Sequence, residues 1–283
     1  MIQQASSHLA KKLEVEFHKK LLAAAIAQLD NAGDPLAVNS FCSTVRELIR
    51  HVLSFLASDE EIKKCPWFQP DSTSRTGITR SHAVHFIVCG GLTEDYVTTQ
   101  LEIELPEIKK ELSSAIKVLN KFTHLNEATF NIPIAEFEPQ AISVINALTE
   151  VLDLGQDCRA QLTQSLAHRI EKGVVSAAIS ETLLAINEIA THHSVEFIDI
   201  EEIEVVSIGS TEIEISVHGN IEVELQWGSN SDVKNDTGAV ANDSFPFRCM
   251  ITSHTTEPEE THIETDHLQI DTSDWFGDQD DEY

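Results

Sequence analysis

The sequence predicts an α+β protein, with an α-helical bundle domain over residues 1–193 followed by a small antiparallel β-sheet or sandwich over 194–273. Three observations predict it. Apolar residues recur every three or four positions as far as Ile186. Beyond that point they alternate with polar residues at a spacing of two. Charge divides at the same place, because Ser194–Tyr283 holds 23 of the 47 acidic residues but only 2 of the 19 basic ones. The changes meet near His193, where a domain boundary is expected.

The helical elements follow in order. Leu9, Leu13, Phe17, Leu21, Ala25 and Leu29 repeat every four residues until Gly33, Asp34 and Pro35 stop the pattern. Phe41, Val45, Leu48, Ile49, Val52 and Leu56 form a second stripe, closed by Ser58-Asp59. A third runs through Ile108, Leu112, Ala115, Ile116, Leu119 and Phe122. Three more stripes are read over Ala141–Leu148, Leu162–Ile170 and Val175–Ile186. Six or seven amphipathic helices with short connections imply a bundle.

In the second part, Ile213, Ile215 and Val217 alternate with Glu212, Glu214, Ser216 and His218. After Gly219-Asn220, a pair suited to a tight turn, Ile221, Val223 and Leu225 alternate with Glu222 and Glu224. A β-hairpin with one buried and one acidic face is expected. Strands around Val195–Ile208, Phe245–Ser253 and His262–Ile270 would complete the sheet. The acidic segment 274–283 reads as a solvated, disordered tail.

The net charge of −28 excludes a general nucleic-acid coat protein, which holds phosphate through excess Lys and Arg. It leaves room for a local basic cleft. Five cysteines without a CxxC pair fit reduced thiols better than a disulfide framework or a zinc site. The longest apolar run, Leu21–Ala27, is too short to span a bilayer, and the N-terminus lacks the apolar segment of a secretory signal. A cytoplasmic protein with no membrane association is expected.

Three segments carry candidate chemistry. Asn120 and His124 are four apart on one expected helix, with Lys121 beside them. An ionisable His, an amide to position it and a cation could together cleave RNA through its 2′-hydroxyl. The plain alternative is that His124 caps the helix or points into water. The second segment, Ser74–His85, is basic: Arg75 and Arg80 lie at or before an expected helix start, where free N–H groups favour anions. Arg80 and His85 also satisfy an R-x4-H spacing, and Arg46 and Arg50 stand one turn apart on another helix beside His51. Arg46, Arg50, Arg75, Arg80 and His85 are the candidate phosphate ligands, as one pocket with His124 or as separate patches. Third, Asp232-Val233-Lys234 imitates the end of a metal-nuclease motif, with Glu222 or Glu224 as partner acid. Residues of this type are also what a loop prefers. The adjacent His192 and His193 could bind a metal or mark the junction. No metal site and no cofactor is expected.

Several motifs taken jointly resemble one family: Arg46–Leu53, Cys65-Pro66-Trp67-Phe68, Gly77-Ile78-Thr79-Arg80 and Gly90–Glu94, then His192–Glu196, Leu225–Asp232, Ser244-Phe245-Pro246-Phe247 and Asp271–Trp275. They resemble the predicted nucleases associated with prokaryotic PIWI proteins, over roughly Ala24–Trp275. The resemblance implies a nuclease of a prokaryotic defence or conflict system. The helical part is also similar in style to HEPN domains, helical ribonucleases whose active sites read R-N-x-x-x-H or R-x4–6-H. Asn120 and His124 match N-x-x-x-H, while Leu119 stands where that pattern has Arg; Lys121, Arg80 or Arg50 would then supply the cation. A metal-independent RNA-cleaving enzyme is one expectation. The other is a non-catalytic adaptor or sensor whose acidic β-domain docks another defence protein. The expected partners are an RNA or DNA substrate, a protein encoded nearby and, as a candidate, a second copy forming a homodimer.

Overall fold

A computed structural model describes residues 1–31, 33–180, 183–261, 263 and 268–276. The chain forms two compact units, Met1–Cys158 and Arg159–Tyr283. Helices come first and a four-stranded antiparallel sheet follows, so the class is α+β. The switch from helix to strand lies at His192, whereas the units divide inside a helix. No helix among the described residues is long and apolar enough to cross a membrane.

In the first unit, α1 (Ile2–Lys12) and α2 (Glu16–Leu29) replace the single helix expected over Leu9–Leu29. Leu13 and Val15 are extended, and the break lets Leu9 and Leu13 be buried alongside Leu22, Ala25, Ile26 and Leu29. The central helix α3 (Ala37–Leu56) packs on α2 and on α7 (Leu105–Thr123). Its Phe41, Val45, Leu48, Ile49 and Val52 are almost wholly buried. Phe122 and Phe41 each meet Phe137 edge-on, with ring centroids 5.0 and 5.8 Å apart. Asn39, on this same apolar face, donates through Nδ2 to the carbonyls of Phe122 at 2.7 Å and Thr129 at 3.1 Å. It thereby satisfies a helix-end carbonyl that the α7 ladder leaves open. Short helices α4 (Asp59–Lys64), α5 (Arg80–Cys89) and α6 (Glu94–Thr99) start at Ser58, Thr79 and Thr93, whose side-chain oxygens accept from backbone N–H groups.

The three helices expected between Ala141 and Ile186 are instead one 47-residue helix, α8 (Ile134–Ser180), followed by α9 (Leu184–Asn187). Gly155 does not stop it. It marks where the α5 backbone comes close, since a Cβ there would lie 2.9 Å from the Ile87 carbonyl oxygen.

In the second unit, β1 (His192–Ile208), β2 (Glu212–Trp227), β3 (Ala239–His254) and β4 (Leu268–Ile270) pair in sequence order as an antiparallel meander. Among the described residues these strands form a single sheet, not a sandwich. Gly219 is no turn: β2 runs straight through it, with Ile200 on one side and Phe247 on the other. Glycine is required because a Cβ would run into the Asp199 carbonyl oxygen and lie 2.9 Å from Phe247 Cε1. The odd-numbered residues Ile213 to Leu225 are buried, and Glu212, Glu214 and Glu222 stay exposed, as the alternation predicts. β1 is an edge strand whose register shifts three times, a device that discourages pairing with other chains. Val205 N–H on β1 donates to Thr163 Oγ1 at 3.0 Å, which ties the strand to the later part of α8. Of the strand expected over His262–Ile270, the described residues are Ile263, which is not strand, and 268–270, which form β4. In the expected tail, Ser273–Phe276 forms a 3-10 turn, and 277–283 lie outside the described residues.

Candidate functional site

Arg80 is the first residue of α5, and local chemistry holds it there. Thr79 Oγ1 accepts from His82 N–H at 3.4 Å, and His82 Nδ1 accepts from Thr79 N–H at 3.2 Å, a reciprocal cap that fixes the helix start. The preceding loop is closed by Asp71 N–H on the Gly77 carbonyl at 2.8 Å, with Gly77 at φ +77°. Asp71 Oδ1 takes the Thr73 hydroxyl at 2.6 Å and its N–H at 2.8 Å, which holds the carboxyl below its ordinary range.

Opposite Arg80, α7 presents Lys109, Ser113, Lys117 and Asn120 at helical spacing. These residues, with Asp71, Thr79 and Ser81, line a cleft of ≈430 Å³. Lys109 is held by Glu94 Oε2 at 2.8 Å. Arg80 and Lys117 are exposed, and neither enters an ion pair among the described residues. Two uncommitted cations therefore face one another beside the start of α5, within an acidic chain. Such a cleft suits a phosphate group. Of the residues singled out in the sequence, Arg80 and Asn120 meet here. Lys109 and Lys117 were missed, although their four- and eight-residue steps along α7 were legible as one polar stripe.

The remaining candidates fall elsewhere. α7 ends at Thr123, and His124 is extended at φ −98°, ψ 112°, so the helical face expected for Asn120 and His124 breaks at its last member. The His124 carbonyl accepts from Thr129 Oγ1 at 2.8 Å, and its side chain is exposed. Lys121 Nζ lies 5.0 Å from the Phe122 ring centroid. Arg46 and Arg50 are on α3, both beside Glu47, and do not line the cleft. Arg75 is exposed in the 71–78 loop.

His85 is 5% exposed, and phosphate cannot reach it directly. Five residues along a helix turn a side chain by about 140°, so Arg80 and His85 part company. The His85 ring stacks on Trp67 at 4.0 Å and 6°, and Nε2–H donates to the Leu92 carbonyl at 3.1 Å. Trp67 Nε1–H donates to the Gly90 carbonyl at 2.9 Å. The Cys65–Phe68 and Gly90–Glu94 motifs are thus two sides of one packed corner. Burial, helped by Lys109, pushes the His85 imidazole from the ordinary 6.5 down to about 4. The folded protein binds this proton less readily than the unfolded chain, so stability is full above pH 6.5 and falls as pH drops towards 4. The expected loss is about 3 kcal/mol across that window. Urea midpoints at pH 7 and pH 5 should differ in this direction, and His85→Gln should shrink the difference.

In the second unit, Asp232 Oδ2 accepts from Ser229 N–H at 2.8 Å and Ser229 Oγ–H at 2.6 Å, capping α10 (Asn230–Lys234). These bonds hold its carboxyl below the ordinary range. Glu222 is exposed on the sheet. Among the described residues no group of three or more His, Cys, Asp or Glu side chains is placed to hold a metal ion. His192 and His193 begin β1, where successive side chains point to opposite faces. Trp227 stacks on Trp275 at 5.9 Å, Phe245 meets Trp275 at 6.4 Å, and Asp271 N–H donates to the Pro246 carbonyl at 2.9 Å. The three C-terminal motifs therefore form a second packed corner.

The fold and the cleft define an α+β protein whose helical unit carries a small basic cleft and whose β-unit is a meander. Two family models match it, each described as predicted pPIWI-associating nuclease, one over residues 10–148 and one over 155–276. The chain belongs to the predicted pPIWI-associating nuclease family. No curated protein and no solved structure is a significant match.

Proposed function

We propose that the protein is a metal-independent ribonuclease of a prokaryotic anti-phage or conflict system, binding its substrate's phosphates in the α5/α7 cleft. The observation that carries this is the convergence of Arg80, Lys117 and Asn120 on one cleft, free of ion pairing among the described residues. Family membership supports the nuclease class. Arg80 and Lys117 bind the phosphate oxygens, and Asn120 orients the strand. His124, on the segment that follows α7 and outside the cleft lining, is the base for the 2′-hydroxyl proton of a strand that extends beyond the cleft. The 2′-oxygen then attacks phosphorus and the P–O5′ bond breaks. The departing 5′-oxygen takes a proton from water, leaving a 2′,3′-cyclic phosphate and a 5′-hydroxyl end.

Labelled RNA and DNA incubated with the full chain in excess EDTA test the proposal. RNA should be cut, DNA should survive, and His124→Ala should slow cutting by about 100-fold or more. Cleavage that EDTA abolishes, or that His124→Ala leaves unchanged, overturns it. A second reading, docking of a basic partner protein, draws support from the exposed Glu212, Glu214 and Glu222 on β2.

A further inference from the structure

Four rings meet on the outer side of α2 and α3. Phe17 and His51 lie edge to face with centroids 5.3 Å apart, His18 and Phe55 lie 5.7 Å apart, and His18 and His51 6.3 Å. His18 is buried beneath them, while Phe17 is 50% and Phe55 56% exposed. Burial, with His51 nearby, holds His18 below its ordinary range, so the base of the cluster is apolar near neutral pH. Single exposed apolar residues are commonplace; two aromatic ones in one cluster call for an explanation.

Cations border these rings. Arg50 donates through one terminal nitrogen to His51 Nε2 at 2.9 Å and through Nε to Glu47 Oε2 at 2.8 Å. Arg46 approaches the same carboxylate at 3.9 Å. Lys20, exposed on α2, stands three residues after Phe17 and so on the same side of the helix. Arg46, Arg50 and Lys20 stand against the carboxylates of Glu47 and of Glu16, which lies one turn before Lys20 on α2, so cations outnumber acids beside these rings in a chain of net charge −28. Flat exposed rings beside phosphate-binding cations are what a strand of unpaired nucleotides requires, since every base has a face to stack and every linkage a negative charge.

We propose that the α2/α3 surface is a stacking platform for single-stranded nucleic acid, with Phe17 and Phe55 under the bases and Arg46, Arg50 and Lys20 on the phosphates. It rests on the nuclease reading for its polymer and adds the substrate class, an unpaired strand held apart from the cleft that cuts it. Duplex DNA or RNA hides its base faces and gains nothing from the rings.

The test is fluorescence anisotropy on the full chain in EDTA at about 50 mM salt, where phosphate contacts are strong. The probes are labelled oligo(dT), oligo(rU) of non-cleavable 2′-O-methyl chemistry, and a duplex of equal length. Both single strands should bind at least about tenfold more tightly than the duplex, and oligo(dT) against oligo(rU) shows whether the sugar matters. Phe17→Leu combined with Phe55→Leu keeps the surface apolar and exposed, so the fold is retained. It should weaken single-strand binding by about tenfold per ring. Phe17→Trp should bind normally, with fluorescence quenched by oligo(dT). Lack of single-strand binding by the wild type, equal binding of duplex, or unchanged affinity in the double leucine variant overturns the proposal; the last would leave the surface to a protein partner. Ring-dependent binding without any RNA cleavage would sink the nuclease reading alone, and cleavage without ring-dependent binding would sink the platform alone.

Discussion

Gly219→Val is expected to destabilise the β-meander severely. The residue lies in the middle of β2, paired with Ile200 on β1 and Phe247 on β3. Any Cβ there would strike the Asp199 carbonyl oxygen and crowd Phe247 Cε1 at 2.9 Å. The first obstacle is backbone already committed to a central ladder, so neither neighbouring strand can yield without losing its pairing. A cost of about 3–5 kcal/mol is expected, against a total stability of about 5–15 kcal/mol for an ordinary domain. Urea unfolding followed by circular dichroism should show an early loss of strand signal. Gly33→Ala is the matched control, because its Cβ would meet nothing nearer than Asn31 Oδ1 at 3.9 Å. An unchanged midpoint for Gly219→Val would contradict the close strand approach.

Arg80→Ala is expected to reduce RNA cleavage by about 100-fold or more while leaving the thermal midpoint unchanged. Its guanidinium is exposed at the start of α5, and the Thr79–His82 cap that holds the helix does not use it. Removing a charge-assisted donor from a phosphate in an otherwise acidic molecule loses both the hydrogen bonds and the local field. Asp232→Asn provides the contrast, since its carboxylate is spent on Ser229 at the start of α10. That variant should cut RNA at the wild-type rate. A folded Asp232→Asn protein without activity would revive the metal-dependent alternative and remove the catalytic role from the helical unit.

Several structural errors of sequence reading trace to particular residues. The odd-numbered stripe from Ile213 to Leu225 keeps its phase through Gly219, and a glycine of that parity belongs to the strand's inward face. Its presence beside Asn220 nevertheless has the composition of a turn. In the same way Cys158, Leu162, Leu166, Ile170, Val174 and Ala178 step by fours without a break, which marks one long helix. Gly155 and Gly173 sit within that helix where other backbone and side chains come close, an approach that cannot be read from local sequence. The polar stripe Lys109, Ser113, Lys117 and Asn120 was equally visible, but nothing local told which element it would face.

The class, the order of helices before strands, the apolar faces and the acidic side of β2 were determined by the sequence itself. Each depends on local period and charge, which act over a few residues. Tertiary structure alone decided which candidates meet. It placed Arg80 across from Lys117 and Asn120, buried His85 against Trp67, and left Arg46 and Arg50 with the rings of α2 and α3. Arg80 stands 37 positions from Lys117 and 40 from Asn120, and Arg50 stands 33 from Phe17, so their proximity comes from helices packing face to face through apolar stripes. Burial then changes the chemistry of a residue without changing its name: one histidine becomes a core ring that resists protonation, and another remains at the surface in contact with water.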